Sequence, residues 1–125
     1  MGGASSSILD LKLHKKYHPH VSYVEDKIVD FIRMDEFIPQ NNIDISEYNM
    51  LNVDVQGTEL QVFESFGELI SNFDYILTEV NVAEIYENCT QMVDIDEYLA
   101  KYGFVRIETY MTPYEWGDAF YIKRN

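Results

Sequence analysis

Apolar residues are distributed along this chain in two textures. Some lie in short runs rich in β-branched and aromatic residues, and others return every three or four positions. The runs at 27–33, 50–55, 75–80 and 119–122 predict strands. Those at 50–55 and 75–80 are apolar on both faces, as befits strands inside a sheet covered by helices. Residues 104–110 alternate apolar with polar, the pattern of a half-exposed strand. Helical spacing follows Thr58-Glu59-Leu60-Gln61, a capping-box pattern that predicts a helix start. Leu60, Phe63, Phe66, Leu69, Ile70 and Phe73 then recur on one face, and Gly67 predicts a kink or a split. Asp94 with Glu97 predicts a second N-terminus, followed by the stripe Ile95, Tyr98, Leu99 and Tyr102, with Gly103 placed to end it. Asp35-Glu36-Phe37-Ile38 predicts one helical turn closed by Pro39. A mixed pattern over 5–17 predicts a further helix.

From residue 50 the order reads strand, helix, strand, helix, strand, strand. The first two crossovers are long enough for right-handed parallel units. The last two strands are joined by the turn-rich stretch 111–118, which predicts a hairpin. The expected fold is therefore α/β: a mostly parallel sheet with one antiparallel strand and helices packed on it. With 125 residues, no internal repeat and no linker, the chain reads as a single domain over 1–125.

Charge removes several classes of function. The chain holds 22 acidic against 9 basic residues, a formal net charge of −13. Such a surface repels phosphate backbones and anionic lipid, so neither nucleic acid nor membrane is expected as a partner. A hydrophobic content of 46% excludes disorder as the main state. No apolar run approaches a membrane span, and Met1-Gly2-Gly3-Ala4-Ser5-Ser6-Ser7 lacks the basic-then-apolar form of a secretory leader. Cys89 is the single cysteine, so no internal disulfide forms. Together these predict a cytoplasmic protein in a reducing compartment. Asn88-Cys89-Thr90 matches a glycosylation sequon, which carries little weight without that leader. His14, His18 and His20 cluster with Lys12, Lys15 and Lys16 near the start. Pro19 interrupts any helix that would align those histidines, so a solvated segment is expected there rather than a metal site. No Ser-His-Asp order is legible.

Candidate chemistry gathers at strand ends. Ligands of open α/β sheets bind outside the carboxyl ends of the strands. Asp54 and Glu79 end two neighbouring predicted strands, Glu59 opens the intervening helix, and Asn81 follows Glu79. Gln56 and Gly57 form the turn, where glycine permits positive φ or a close approach. Carboxylates so placed can position a substrate, take a proton from an acceptor hydroxyl, or hold a metal ion. The structural reading of the same residues has Glu59 interacting with its helix N-terminus and Asp54 capping backbone amides. Trp116, with Tyr110 and Tyr114, either lines an acceptor pocket or packs at a rim.

Several segments resemble one family. Asn52-Val53-Asp54-Val55-Gln56-Gly57-Thr58-Glu59-Leu60 resembles the "(K)IDVQGAEL" motif of FkbM-family methyltransferases, which use S-adenosylmethionine. Tyr75-Ile76-Leu77-Thr78-Glu79-Val80-Asn81 resembles the strand "YIYTEVN" that follows it in the family. Ile95-Asp96-Glu97-Tyr98-Leu99 with Tyr102-Gly103-Phe104 is similar to "DI-x-x-FL … GF", and Trp116-Gly117-Asp118-Ala119-Phe120-Tyr121 to "W-G-DALYI". Upstream, Gly3-Ala4-Ser5-Ser6-Ser7-Ile8-Leu9 resembles "G-x-SSSLL", and Arg33-Met34-Asp35-Glu36-Phe37-Ile38 resembles "LDDFI".

The resemblance implies a class I, Rossmann-like methyltransferase sheet of order 3-2-1-4-5-7-6, of which this chain corresponds to strands 4 to 7. It implies methyl transfer from S-adenosylmethionine, usually to a hydroxyl oxygen of a small-molecule or glycan acceptor. Asp54, Glu59 and Glu79 become the expected catalytic residues, and Gln56, Gly57, Asn81 and Trp116 the expected acceptor-binding ones. The family's glycine-rich loop and its ribose-binding acidic residue have no counterpart in this sequence. The expectation is a truncated or degenerate member, inactive alone and not binding the cofactor. The strand at 50–55 then becomes an exposed sheet edge, which invites a homodimer or a partner chain. The rival readings are a non-catalytic interaction module that uses that edge, and a metal-dependent hydrolase built on Asp54, Glu59 and Glu79.

Overall fold

A computed structural model describes residues 31–83 and 89–124. The predicted helix at 5–17, the three histidines and most of the predicted strand at 27–33 lie outside the described residues. The last three residues of that strand, 31–33, are neither strand nor helix. The elements are α1 (Met34–Gln40), a 3₁₀ turn (Ile45–Glu47), β1 (Met50–Val53), α2 (Glu59–Ser65), a 3₁₀ helix (Gly67–Asn72), β2 (Tyr75–Asn81), α3 (Met92–Ala100), β3 (Phe104–Met111) and β4 (Trp116–Lys123).

The four strands form one mixed sheet in the order β1-β2-β4-β3. β1 runs parallel to β2, with Met50 opposite Tyr75 and Val53 opposite Thr78. β4 is antiparallel to both neighbours and is the one reversed strand, as the hairpin predicts. A bulge lies between Arg106 and Glu108. Among the described residues β1 is an edge strand.

Successive strand residues point to opposite faces, and the two faces differ sharply. One carries Val53, Ile76, Val80, Ala119, Tyr121 and Phe104, all buried against Phe63, Ile70, Ile95 and Leu99 of the helical layer. Each such large side chain contributes about 1.5–3 kcal/mol through burial. Arg106 reinforces that layer by donating Nε and Nη2 to the Asp96 carboxylate at 2.9 and 3.0 Å, and the Tyr121 hydroxyl donates to the same group at 2.5 Å. The other face holds Met50, Tyr75, Val105 and Tyr110, which remain exposed. Half-buried Leu77, Phe120 and Ile122 lie between them, with Tyr75 stacked on Phe120 at 6.0 Å.

Two boundaries differ from the sequence pattern and one follows it. The apolar stripe after Thr58 splits where Gly67 predicts: α2 stops at Ser65 and a 3₁₀ helix starts at Gly67, whose φ of +56° interrupts the α geometry. Asp94 is not an N-cap, because α3 begins at Met92 with Gln91 as cap, and Asp94 reaches back to accept the Gln91 N–H at 3.0 Å. Pro39 does not close α1; the helix continues to Gln40, and the Asn41 N–H still reaches the Phe37 carbonyl. Gly103 ends the α3 region with φ +86°, the left-handed geometry that its position predicts.

Candidate functional site

The carboxyl ends of β1 and β2 open onto a tight turn, 54–57. Gln56 and Gly57 have φ of +55° and +113°, so the chain reverses direction immediately after the strand. An acidic side chain holds this reversal. Glu59, fully buried, accepts the Val55 N–H at 3.0 Å and the Gly57 N–H at 3.2 Å. The structural alternative for Glu59 is thus what its hydrogen bonds describe, although its partners are amides of the preceding turn. Burial raises its pKa against the opposing pull of those amides.

Thr58 does not supply the expected cap. Its hydroxyl donates instead to the Val55 carbonyl at 3.5 Å. The Leu60 N–H goes to the hydroxyl of Thr90, thirty residues away, at 3.2 Å. Thr90 also donates its backbone N–H to the Gly57 carbonyl at 2.8 Å, and its own carbonyl accepts Asn81 Nδ2 at 3.5 Å. One buried threonine therefore clamps the turn, the start of α2 and the end of β2. Nothing local in the sequence marks Thr90 for this task. The signal would have been a hydroxyl residue needing a buried partner, and that partner is visible only in three dimensions.

Asp54, Glu59 and Glu79 bring carboxylate oxygens within 4.8 Å of one another. Gln56 bridges two of them, donating Nε2 to Asp54 Oδ1 at 3.0 Å and to Glu79 Oε2 at 3.3 Å. Glu79 is nearly buried on β2, and its pKa is pushed up to about 9, chiefly by desolvation and then by a side-chain hydrogen bond to Asp54 and the neighbouring negative charges. Burial and the surrounding negative charge thus favour the protonated form of Glu79. Asp118, directly across from Glu79 on β4, adds to that repulsion and was not legible from sequence spacing.

The remaining expected residues divide. Gly57 is in the turn itself, with its N–H donated to Glu59. Asn81 is buried two residues beyond Glu79; its Nδ2 reaches Thr90, and its Oδ1 has no hydrogen-bond partner among the described residues. Trp116 pairs with Asn81 across β2 and β4 and is half-buried, so it borders this end of the sheet. Tyr110 stands on the exposed face opposite Asp118, and Tyr114 is in the hairpin turn.

A carboxyl pair of this kind, at the carboxyl ends of parallel strands in an α/β sheet, defines a candidate site for acid–base work on a polar acceptor. Comparison with known families places the chain. The methyltransferase FkbM domain matches residues 3–106, and the chain belongs to that family. The match ends before β4, so the Trp116–Tyr121 resemblance lies beyond the matched residues. No curated protein and no solved structure matches the chain.

Members of this family are generally S-adenosylmethionine-dependent. The glycine turn after β1 does not offer free amides to that cofactor. Such a group needs free backbone amides in a glycine turn and a carboxylate open to ribose hydroxyls. Here the glycine turn after β1 has its Val55 and Gly57 amides bound to Glu59, and Glu79 faces Gln56 and Asp54.

Proposed function

We propose that this chain forms the acceptor side of an O-methyltransferase, with the described residues handling the hydroxyl that receives the methyl group. The methyltransferase family match supports the class, and the sheet order β1-β2-β4-β3 agrees with the order 4-5-7-6 that the resemblance implies. The observation that carries the reading is the Asp54–Glu79 carboxyl pair at adjacent strand ends, bridged by Gln56. Asp54, the exposed member, accepts the proton of an acceptor hydroxyl. Glu79, neutral at pH 7, offers a hydrogen bond where an ionised carboxylate would only accept one. Gln56 fixes their spacing, while Glu59 and Gly57 hold the turn that carries Gln56. Asn81 and Trp116 border the acceptor. The class of acceptor is a small polar molecule or a glycan, because the offered groups are hydrogen-bonding ones. In this reading the methyl donor is held by residues other than those described.

Titrating the 125-residue chain with simple sugars and polyols, while following Trp116 fluorescence, tests the proposal. Saturable quenching that Asp54→Asn weakens at least tenfold is expected. No quenching by any hydroxyl compound, or quenching indifferent to Asp54→Asn, would overturn it. In calorimetry the chain alone is expected to show negligible affinity for S-adenosylmethionine; micromolar binding would refute the acceptor-side assignment.

A further inference from the structure

Asp54, Glu59 and Glu79 bring three carboxyl groups together without a cation from the protein. Among the described residues no lysine or arginine reaches any of them; their partners are the Val55 and Gly57 amides and the side-chain amide of Gln56. Glu59 and Glu79 are buried, and Asp54 is exposed. Buried acidic groups are paired, protonated or bound to a metal ion. A second and independent feature of the same place asks for a positive partner. Asn81, 1% exposed, follows Glu79 by two residues on β2, so its side chain leaves the strand on the face that carries Glu79. Its Nδ2 is taken up by the Thr90 carbonyl. The Thr90 N–H in turn holds the Gly57 carbonyl, in the turn that Glu59 closes. The Asn81 carboxamide is thereby set against the carboxyl cluster, and its Oδ1 is a buried acceptor without a hydrogen-bond donor among the described residues. Such an atom lowers stability unless a donor or a cation meets it.

We infer that Asp54, Glu59, Glu79 and the Asn81 Oδ1 form a binding site for one hard divalent cation, with calcium the ion that the spacing fits. The donors are all oxygen, the set that suits calcium, magnesium and manganese. Oxygens that share a calcium ion at about 2.3–2.6 Å stand no more than about 5 Å apart. The three carboxylates already meet within 4.8 Å. Magnesium, at about 2.0–2.1 Å, would have to draw them closer. Gln56 is the part that moves: its Nε2 now bridges Asp54 and Glu79, and turning the carboxamide over presents Oε1 to the ion instead. Binding releases the proton that burial favours on Glu79. The ion deepens the acceptor-side reading and rests on it for its use, not for its binding: a cation beside exposed Asp54 would hold an acceptor hydroxyl by its oxygen and ease loss of its proton. Titrating the ion without sugars, and the sugars in a chelator, keeps the failure of one distinguishable from the failure of the other.

The test takes the full chain, stripped with chelator, through calorimetric titration with calcium, magnesium and manganese chlorides. Salt at about 0.15 M screens diffuse attraction to the −13 surface. Calcium is expected to bind at one site with a Kd between about 10 μM and 1 mM. Terbium, a luminescent stand-in for calcium, is expected to light up through Trp116, which pairs with Asn81 across the sheet, and calcium should displace it. Glu79→Gln and Asp54→Asn should each weaken calcium at least tenfold, and Asn81→Ala at least threefold. Glu97→Gln, which removes one exposed charge from α3, should leave it unchanged. Circular dichroism confirms that each variant is folded, and Asp54→Asn, at an exposed position, carries the comparison if a buried variant does not fold. No saturable uptake of any of the three ions up to about ten times that upper limit would overturn the site. Equal weakening by Asp54→Asn and Glu97→Gln would also overturn it, leaving only diffuse attraction to an acidic surface. Binding indifferent to Asn81→Ala would remove Asn81 from the ligands, and magnesium binding tighter than calcium would overturn the choice of ion.

Discussion

Glu79 shows how position sets the chemistry of a residue. In a solvated turn it would be an ordinary carboxylate; largely removed from water and beside Asp54, Glu59 and Asp118, it has its pKa pushed up to about 9. Its folded pKa is raised above the unfolded value of 4.5. The folded state therefore binds more protons than the unfolded one between about pH 4.5 and 9, and stability falls as pH rises through that window. The contribution is complete below the unfolded value and gone above the folded one. Glu79→Gln, which imitates the neutral carboxyl, should flatten the decline of Tm over this range and raise Tm at pH 9. A decline that persists unchanged in the variant would place its origin in other groups. Glu59 is also buried, but its task differs because two backbone amides depend on it. Glu59→Ala should cost on the order of 3 kcal/mol in urea unfolding, since it empties a buried site and orphans two N–H groups. A loss below about 1 kcal/mol would show that water replaces the carboxylate.

At the scale of elements, the start of α2 depends on a residue that precedes α3. Thr90 accepts the Leu60 N–H that a local cap would ordinarily take, and its N–H fixes the Gly57 carbonyl. Thr90→Val keeps the shape and removes the acceptor. It should destabilise the protein by about 0.5–2 kcal/mol, the usual cost of a lost cap, while Thr90→Ser should restore most of that. Equal stability of the valine and serine variants would remove the hydroxyl from the account. Legibility follows the same division. β1, β2, β3 and α3 were readable because apolar periodicity is local and every turn of chain repeats it. The split at Gly67 was readable because one glycine interrupts the pattern. Thr58 was misread as a cap because its hydroxyl has a competing carbonyl, Val55, that only the folded turn brings near.

The whole molecule carries its −13 charge on a small body, and the charges repel. Raising ionic strength from 0.01 to 0.15 M shortens the screening length from about 30 Å to about 8 Å, so Tm should rise with added salt. A Tm that falls over that range would mean that ion pairs such as Arg106–Asp96 outweigh the repulsion. Among the described residues no helix is long and apolar enough to cross a membrane.

Local pattern and composition by themselves determined the α/β class, the one reversed strand and the placing of Asp54 and Glu79 at strand ends. Each of these depends on neighbours a few residues apart, and so did the motifs that resemble the FkbM family. Tertiary structure alone decided that Asp54, Glu59 and Glu79 meet within 4.8 Å, that Asp118 faces Glu79 and that Thr90 holds the turn. The physical reason is register. Strand pairing sets which side chains meet across the sheet, and a shift of one residue would turn every one of them to the opposite face.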